Sequence, residues 1–241
     1  MPSLDTEQMF DQLAEAYDAW FLENRVVLAS EVLLLGRAVG DTPGHALSVG
    51  CGSGLFEQIL RTQHGIDIRH GIEPSEGMAA IARQRGMTVE SGMAEDLPHD
   101  DASFDTVIFN GSPSYITALD RAFRQAARVL RPDGHIVVLD VPSESSYALL
   151  YRLAGVAGDW DDPRVREARP AMPYPIELAA GANWRSTPEK VELLRAAGFT
   201  DFAYWQTLTR HPRYSNDAIE QPTPGYDRGD YVAIRAGRTA G

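Results

Sequence analysis

Residues 46–60, ALSVGCGSGLFEQIL, constrain the fold more than any other stretch. A short apolar run, Ala46 to Val49, ends in three alternating glycines, Gly50, Gly52 and Gly54. An amphipathic pattern follows, with Leu55, Phe56, Ile59 and Leu60 apolar. The pattern reads as a strand, a tight turn and a helix N-terminus. Such a turn lets a ligand approach bare backbone and the positive end of a helix. Glu73 closes a second apolar stretch nineteen residues after Gly54. An acid about 20 residues on is placed to accept hydrogen bonds from ribose hydroxyls. The dinucleotide fingerprint G-x-G-x-x-G needs a third glycine where Leu55 stands. That departure weakens the case for NAD or FAD. It favours S-adenosylmethionine (SAM), whose amino-acid end can use the same turn without a pyrophosphate.

With 241 residues and 44% hydrophobic content, the chain can build one substantial core. A net charge of −12 opposes a general nucleic-acid partner. Arg121, Arg124, Arg128 and Arg131 fall at helical spacing and read as a solvated face. Cys51 is the single cysteine, so there is no intramolecular disulfide and no thiolate metal cluster. The cysteine usage suits a reducing cytoplasm. The N-terminus has no signal-peptide pattern, and no stretch has the length of a membrane span.

Residues 7–39 read as helical, with Met9, Phe10, Leu13, Tyr17, Trp20 and Phe21 on one stripe and Val26 to Leu35 as a second apolar segment. From residue 46 strands and helices alternate. Strands are expected at 46–50, 68–73, 88–91, 104–110 and 136–140, and helices at 54–64, 75–84 and 119–131. A turn at 131–134 precedes the fifth strand, with His135 read as a turn residue. Such alternation implies a parallel sheet covered on both faces, with ligands outside the carboxyl ends of the strands. Gly50, Glu73, Asn110 and Asp140 fall at those ends.

Residues 142–186 are rich in proline and aromatic residues, with a short helical run at 147–153, and read as an insertion over the site. A helix capped by Thr187 and Pro188 ends at Ala197-Gly198. Strands at 199–209 and 231–236 are expected to be antiparallel neighbours. The expected fold is an α/β, Rossmann-like, doubly wound, mostly parallel seven-stranded sheet with an antiparallel C-terminal strand and a helical lid. Residues 1–241 form one domain: a lid at 1–40, a cofactor-binding core at 46–141, the substrate-side insertion at 142–186 and a C-terminal unit at 187–241.

Five segments, LSVGCGSG at 47–54, GIEPSEGMAAIAR at 71–83, GMAEDLPHDDASFDTVIFN at 92–110, AARVLRPDGHIVV at 126–138 and LRAAGF at 194–199, occur in one order. In that order the chain resembles the class I SAM-dependent methyltransferases of small-molecule type, close to the ubiquinone/menaquinone-biosynthesis superfamily. The resemblance implies SAM as cofactor and S-adenosylhomocysteine (SAH) as product. It also implies residue roles. Gly50, Cys51 and Gly52 would present backbone to the amino-acid end, and Glu73, where the family more often has Asp, would bind the ribose. Pro74, Ser75 and Met78 would border adenine and ribose, with Ala94 and Glu95 at the adenine edge. Asn110 would face the methionine moiety, and Tyr17 would close over the site.

Substrate-side candidates are Trp20, Tyr115, Asp140, Ser143 and Tyr147. A neutral sulfide leaving group needs no acid and only a poorly acidic acceptor needs a base, and no general base is identified, since each of these candidates also reads as structural. The histidines show no metal-ligand spacing. The partner implied is a small molecule, with no nucleic acid and no membrane insertion. Three rival readings are a non-catalytic adenosyl-cofactor-binding protein, a nucleotide-dependent oxidoreductase, and a SAM enzyme that does something other than methylate.

Overall fold

The computed structural model describes residues 6–238. The ends of the expected single domain, residues 1–5 and 239–241, lie outside the described residues, as does the Met9 side chain. The chain begins with α1 (Thr6–Glu23) and α2 (Arg25–Val39), followed by β1 (Ala46–Val49) and α3 (Leu55–Ile59), which continues into a π-helical turn. Next come β2 (His70–Ile72), α4 (Glu76–Gln84), β3 (Thr88–Glu90), β4 (Phe104–Asn110), α5 (Leu119–Val129) and β5 (Leu130–Asp140). The remaining elements are α6 (Ser146–Ala157), α7 (Ile176–Ala180), α8 (Thr187–Ala196), β6 (Phe199–Thr207), β7 (Thr223–Pro224) and β8 (Tyr231–Arg238).

The strands form one sheet in the order β3-β2-β1-β4-β5-β8-β6-β7. Pairing is parallel from β3 to β5, and β8 then pairs antiparallel with both β5 and β6. The chain runs outward from β1 to β3 and returns to β4 on the other side of β1. The switch point therefore lies between β1 and β4, where ligands bind in open α/β sheets. Among the described residues the sheet has eight strands, one more than the expected seven. The extra one is the two-residue β7, held at the edge by Trp205 and Gln206 of β6.

Strand periodicity divides the core. Val107, Phe109, Ile136 and Val138 face one side, where Phe123 of α5 and Leu194 of α8 cover them. Ile108, Val137 and Leu139 face the other, under Leu28, Val32 and Leu35 of α2 and Phe56 of α3. Burial on both faces is why these strands read as unbroken apolar runs.

Several local expectations shift. The N-terminal helical stretch breaks at Asn24, which has non-helical φ −91° and ψ 53° and whose side-chain amide donates to Trp20 O at 2.9 Å. Helix α8 is capped by Ser186, not Thr187. Ser186 Oγ accepts from Glu189 N at 3.2 Å, while Glu189 returns a carboxylate to Ser186 N at 2.6 Å. This capping box satisfies two helix-end donors at once. The helix expected at 147–153 runs farther, from Ser146 to Ala157. His135 is not a turn residue. It pairs with Thr106 inside the sheet, its Nε2 lies 3.2 Å from Thr106 Oγ1, and burial pushes its pKa down to about 4.

Two acids fasten α1 across the carboxyl ends of the strands. Asp11 accepts from Ser75 Oγ at 2.6 Å and Gly77 N at 3.0 Å. Asp18 accepts from Ser53 Oγ and from Arg85, both at 2.5 Å.

Candidate active site

The glycine turn is built from left-handed backbone. Gly50 has φ 65° and Gly52 φ 54°, which glycine adopts at little cost. A Cβ at Gly50 would lie 2.6 Å from Ser112 Cβ, so the turn and the loop after β4 pack too closely for a side chain. At Gly52 a Cβ would meet nothing within 4 Å, because this backbone faces an open cleft. Gly50 N–H donates to Ile72 O at 2.8 Å, which ties the turn to β2.

Glu73 follows β2 and is 6% exposed. Its Oε2 accepts from Gly52 N at 2.9 Å and its Oε1 from Ser75 N at 3.1 Å. Burial pushes the carboxyl up to about 7, against the pull of those two backbone donors. Asp11 and Glu7 add a smaller upward push.

The cleft around this carboxylate spans about 1010 Å³, including its open mouth. Of the residues expected at the cofactor, Tyr17, Gly50, Gly52, Glu73, Pro74, Met78, Ala94, Glu95 and Asn110 line it. Cys51 and Ser75 do not. The Cys51 thiol packs with Ala79, Ala82, Met87 and Val89, and its N–H donates to Ile72 O at 3.3 Å. Ser75 is fully buried as the N-cap of α4, accepting from Met78 N at 3.2 Å. Glu7, Phe10, Ser112, Ile116 and Thr117 also line the cleft and were missed in the sequence. Arg185 fixes the loop that carries the last two. Its guanidinium donates to Pro113, Ile116 and Thr117 carbonyls at 3.0 Å each.

The donor set fits an adenosyl cofactor. A half-buried Gly52 with open space where a side chain would stand, an apolar slot at Pro74, Met78 and Ala94, and a buried acid suit an amino-acid end, an adenine and a ribose. Glu7, Glu73 and Glu95 make the cleft acidic, which favours a ligand carrying a sulfonium and an ammonium over a pyrophosphate.

A methyltransferase-domain family model matches residues 47–138. A SAM-dependent methyltransferase from Thermotoga maritima, described as a possible histamine N-methyltransferase, superposes with a TM-score of 0.81 at 31% identity, covering 96% of this chain and 99% of its own. Nocamycin O-methyltransferase of Saccharothrix syringae is 34% identical over 80% of this chain and 71% of its own length. Demethylmenaquinone methyltransferase of Symbiobacterium thermophilum is 28% identical over 82% and 85%. The chain belongs to the class I SAM-dependent methyltransferases.

A second cavity, about 1010 Å³ with its open mouth included, adjoins the cleft of this methyltransferase. The two share Tyr17, Asn110, Gly111 and Tyr115 as a common wall. Trp20, Tyr115, Asp140 and Tyr147, expected on the substrate side, line the second cavity. Ser143 lines neither, and its N–H donates to Arg185 O at 3.2 Å. Trp20 Nε1 donates to Met172 O at 3.1 Å, which draws the 142–186 segment over the cavity. Asp140 is fully committed: its carboxylate accepts from Ser114 Oγ at 2.8 Å and from Val141 N at 2.9 Å, and meets Lys190 Nζ at 3.0 Å. Burial pushes its pKa up, opposed by the Lys190 ammonium. Tyr231 Oη donates to Asn110 Oδ1 at 3.0 Å and so orients the shared wall. Glu31, Tyr174, Asp230 and Tyr231 also line the cavity and were missed.

Among the described residues no group of three or more His, Cys, Asp or Glu side chains is placed to hold a metal ion. No helix among them is long and apolar enough to cross a membrane.

Proposed function

We propose that this methyltransferase acts on a small-molecule acceptor bound in the cavity behind Tyr17, Asn110 and Tyr115. The observation that carries the reading is the common wall. A cofactor cleft and a second, aromatic-walled cavity meet at these residues, and α1, α2 and the 170–174 segment cover the second one. A space of that kind suits a compact, partly apolar molecule better than a nucleic-acid strand. The small acceptors in the names of the two curated relatives agree with it.

Bound SAM supplies an electrophilic methyl carbon on a sulfonium. Glu73 would hold the ribose, the Gly50–Gly52 turn the amino-acid end, and Met78 and Ala94 would border the adenine. Asn110, held by Tyr231, would face the methionine part at the shared wall. Tyr17 and Phe10 of α1, with Tyr115, exclude water there. Catalysis by this chain is chiefly proximity and orientation, which can lower a barrier by several kcal/mol. The single cysteine agrees with a cytoplasmic setting.

Calorimetric titration with SAM and SAH, with NADH as control, tests the first half. Micromolar binding of both adenosyl ligands and none of NADH is expected. A screen with methyl-labelled SAM against small amines, phenols and carboxylic acids tests the second. Label appearing only on added protein or RNA would overturn the small-molecule reading.

A further inference from the structure

Glu31 sits in the middle of α2, in the apolar run VVLASEVLLL at 26–35. It is 7% exposed and lines the acceptor cavity. The other buried acids all have donors: Asp18 has Ser53 and Arg85, Glu57 has Ser48, and Glu73 has two backbone N–H groups. Asp140 has Ser114 and Lys190, and Asp230 has Ser146 Oγ at 2.8 Å and Tyr147 N at 3.0 Å. Glu31 has neither a hydrogen bond nor an ion pair among the described residues. A carboxylate buried without a partner costs several kcal/mol. A fold retains such a group most readily where a ligand supplies the partner.

The surroundings state what that partner is. Tyr17, Tyr147 and Tyr231 lie within electrostatic reach of Glu31, on α1, α6 and β8. Trp20, Phe21 and Tyr174 extend the wall. Aromatic faces attract cations and add nothing for anions. The charged groups on the other walls are Asp140, already neutralised by Lys190, Asp230, which has only neutral donors, and Arg213. Arg213 is 47% exposed and turned to Glu167, 3.7 Å away. The interior is left acidic, with no cation among the described residues free to meet Glu31.

We propose that the acceptor carries a basic amine, bound as its ammonium with Glu31 as counter-ion against the aromatic wall. This rests on reading the second cavity as the acceptor site. Burial pushes the free carboxyl up to about 8, so an arriving ammonium would draw it into the charged form.

The test is calorimetric titration with 2-phenylethylamine, 2-phenylethanol and 3-phenylpropionate, in saturating SAH. The amine is expected to bind at least ten-fold more tightly than the alcohol, and the anion not measurably. Amine affinity should strengthen from pH 6 to pH 8 as Glu31 ionises. Glu31→Gln should lose the ten-fold preference and the pH dependence, keep alcohol affinity within two-fold and keep SAH affinity. The variant makes no new burial demand, since the carboxyl holds nothing together in the free protein. Equal binding of amine and alcohol, no amine binding, or an unchanged preference in Glu31→Gln overturns the proposal. Failure of SAH to bind wild type counts instead against the cofactor reading, and the amine comparison is then read without it.

Discussion

The cleft proposed for the cofactor and the cavity proposed for the acceptor share a wall but are built on opposite plans. Apart from Glu7, Phe10 and Tyr17 of α1, the cleft is made of short segments, 50–52, 73–78, 92–95 and 110–117, each at or just past the carboxyl end of a strand. Much of its chemistry is backbone: a glycine turn, and an acid that backbone N–H groups hold in place. The cavity draws single side chains from Tyr17 to Tyr231, across α1, α2, β5, α6 and β8. Its chemistry is all side chain. Strand ends are fixed by the sheet, so the cleft tolerates surface change and fails when one backbone-linked residue is lost. The cavity depends on distant contacts and can be re-tuned residue by residue.

The largest effect is expected where the cavity wall rests on buried charge. Lys190→Met leaves Asp140 with only Ser114 and a backbone N–H. Removing one partner of a buried pair costs about 3–5 kcal/mol. Urea unfolding at pH 7 should show that loss, and the loss should shrink as pH is lowered, because burial already favours the protonated carboxyl of Asp140. A loss under ~1 kcal/mol would mean the pair does not hold the wall.

Next comes the cleft. Glu73→Ala removes the acceptor of the Gly52 and Ser75 N–H groups and the proposed anchor of the ribose, and SAH affinity should fall roughly 10- to 100-fold, as for charge-assisted hydrogen bonds of about 1.5–3 kcal/mol. The pH sign follows from burial. Free Glu73 sits at about 7 and a cationic, hydroxyl-bearing ligand favours the anion, so SAM affinity should rise from pH 6 to pH 8. Glu73→Gln should flatten that rise. Affinity that Glu73→Ala does not change would remove the ribose assignment.

The same contrast explains what was legible in the sequence. Gly50, Gly52, Glu73 and Asn110 could be read because strand, turn and acid spacing are local, and parallel pairing then brings the strand ends together. The acceptor wall could not be read this way. Glu31 looks like one acid in an apolar helix, and only the packing of α2 under the sheet and beside α1 buries it. Tyr231 opens a strand expected to run antiparallel to 199–209, yet its reach to Asn110 depends on that strand's pairing and register beside β5. The misplaced cap is different. Ser186, Thr187 and Glu189 carry the S-x-x-E spacing, and that spacing selects Ser186. The signal was present, and proline at the next position drew attention one residue too far.

Smaller effects sharpen the cavity side. Glu31 is raised from an ordinary carboxylate value to about 8 by burial. The fold therefore holds a proton there that the unfolded chain has lost, and stability falls as pH rises from about 4.5 toward 8. Glu73, Glu57, Asp140 and Asp230 are raised as well and tilt the curve the same way, so only a difference isolates Glu31. Between pH 5.5 and pH 7, wild type should lose about 1–2 kcal/mol more than Glu31→Gln, given ~1.4 kcal/mol per pH unit. Parallel curves would mean the carboxyl is better solvated than its burial implies.

The smallest change tests whether the wall positions the cleft. Tyr231→Phe removes one hydroxyl and one hydrogen bond, to Asn110 Oδ1, worth about 0.5–1.5 kcal/mol. Asn110 lines both spaces, so freeing its side chain should blur the alignment of donor and acceptor more than it weakens either ligand. The expected signature is a several-fold fall in kcat with SAM and acceptor KM within two-fold. A rise in KM alone would place Tyr231 on the acceptor. An unchanged kcat would mean that Asn110 is held by the strand end itself, and that the cleft needs nothing from the cavity beyond the wall they share.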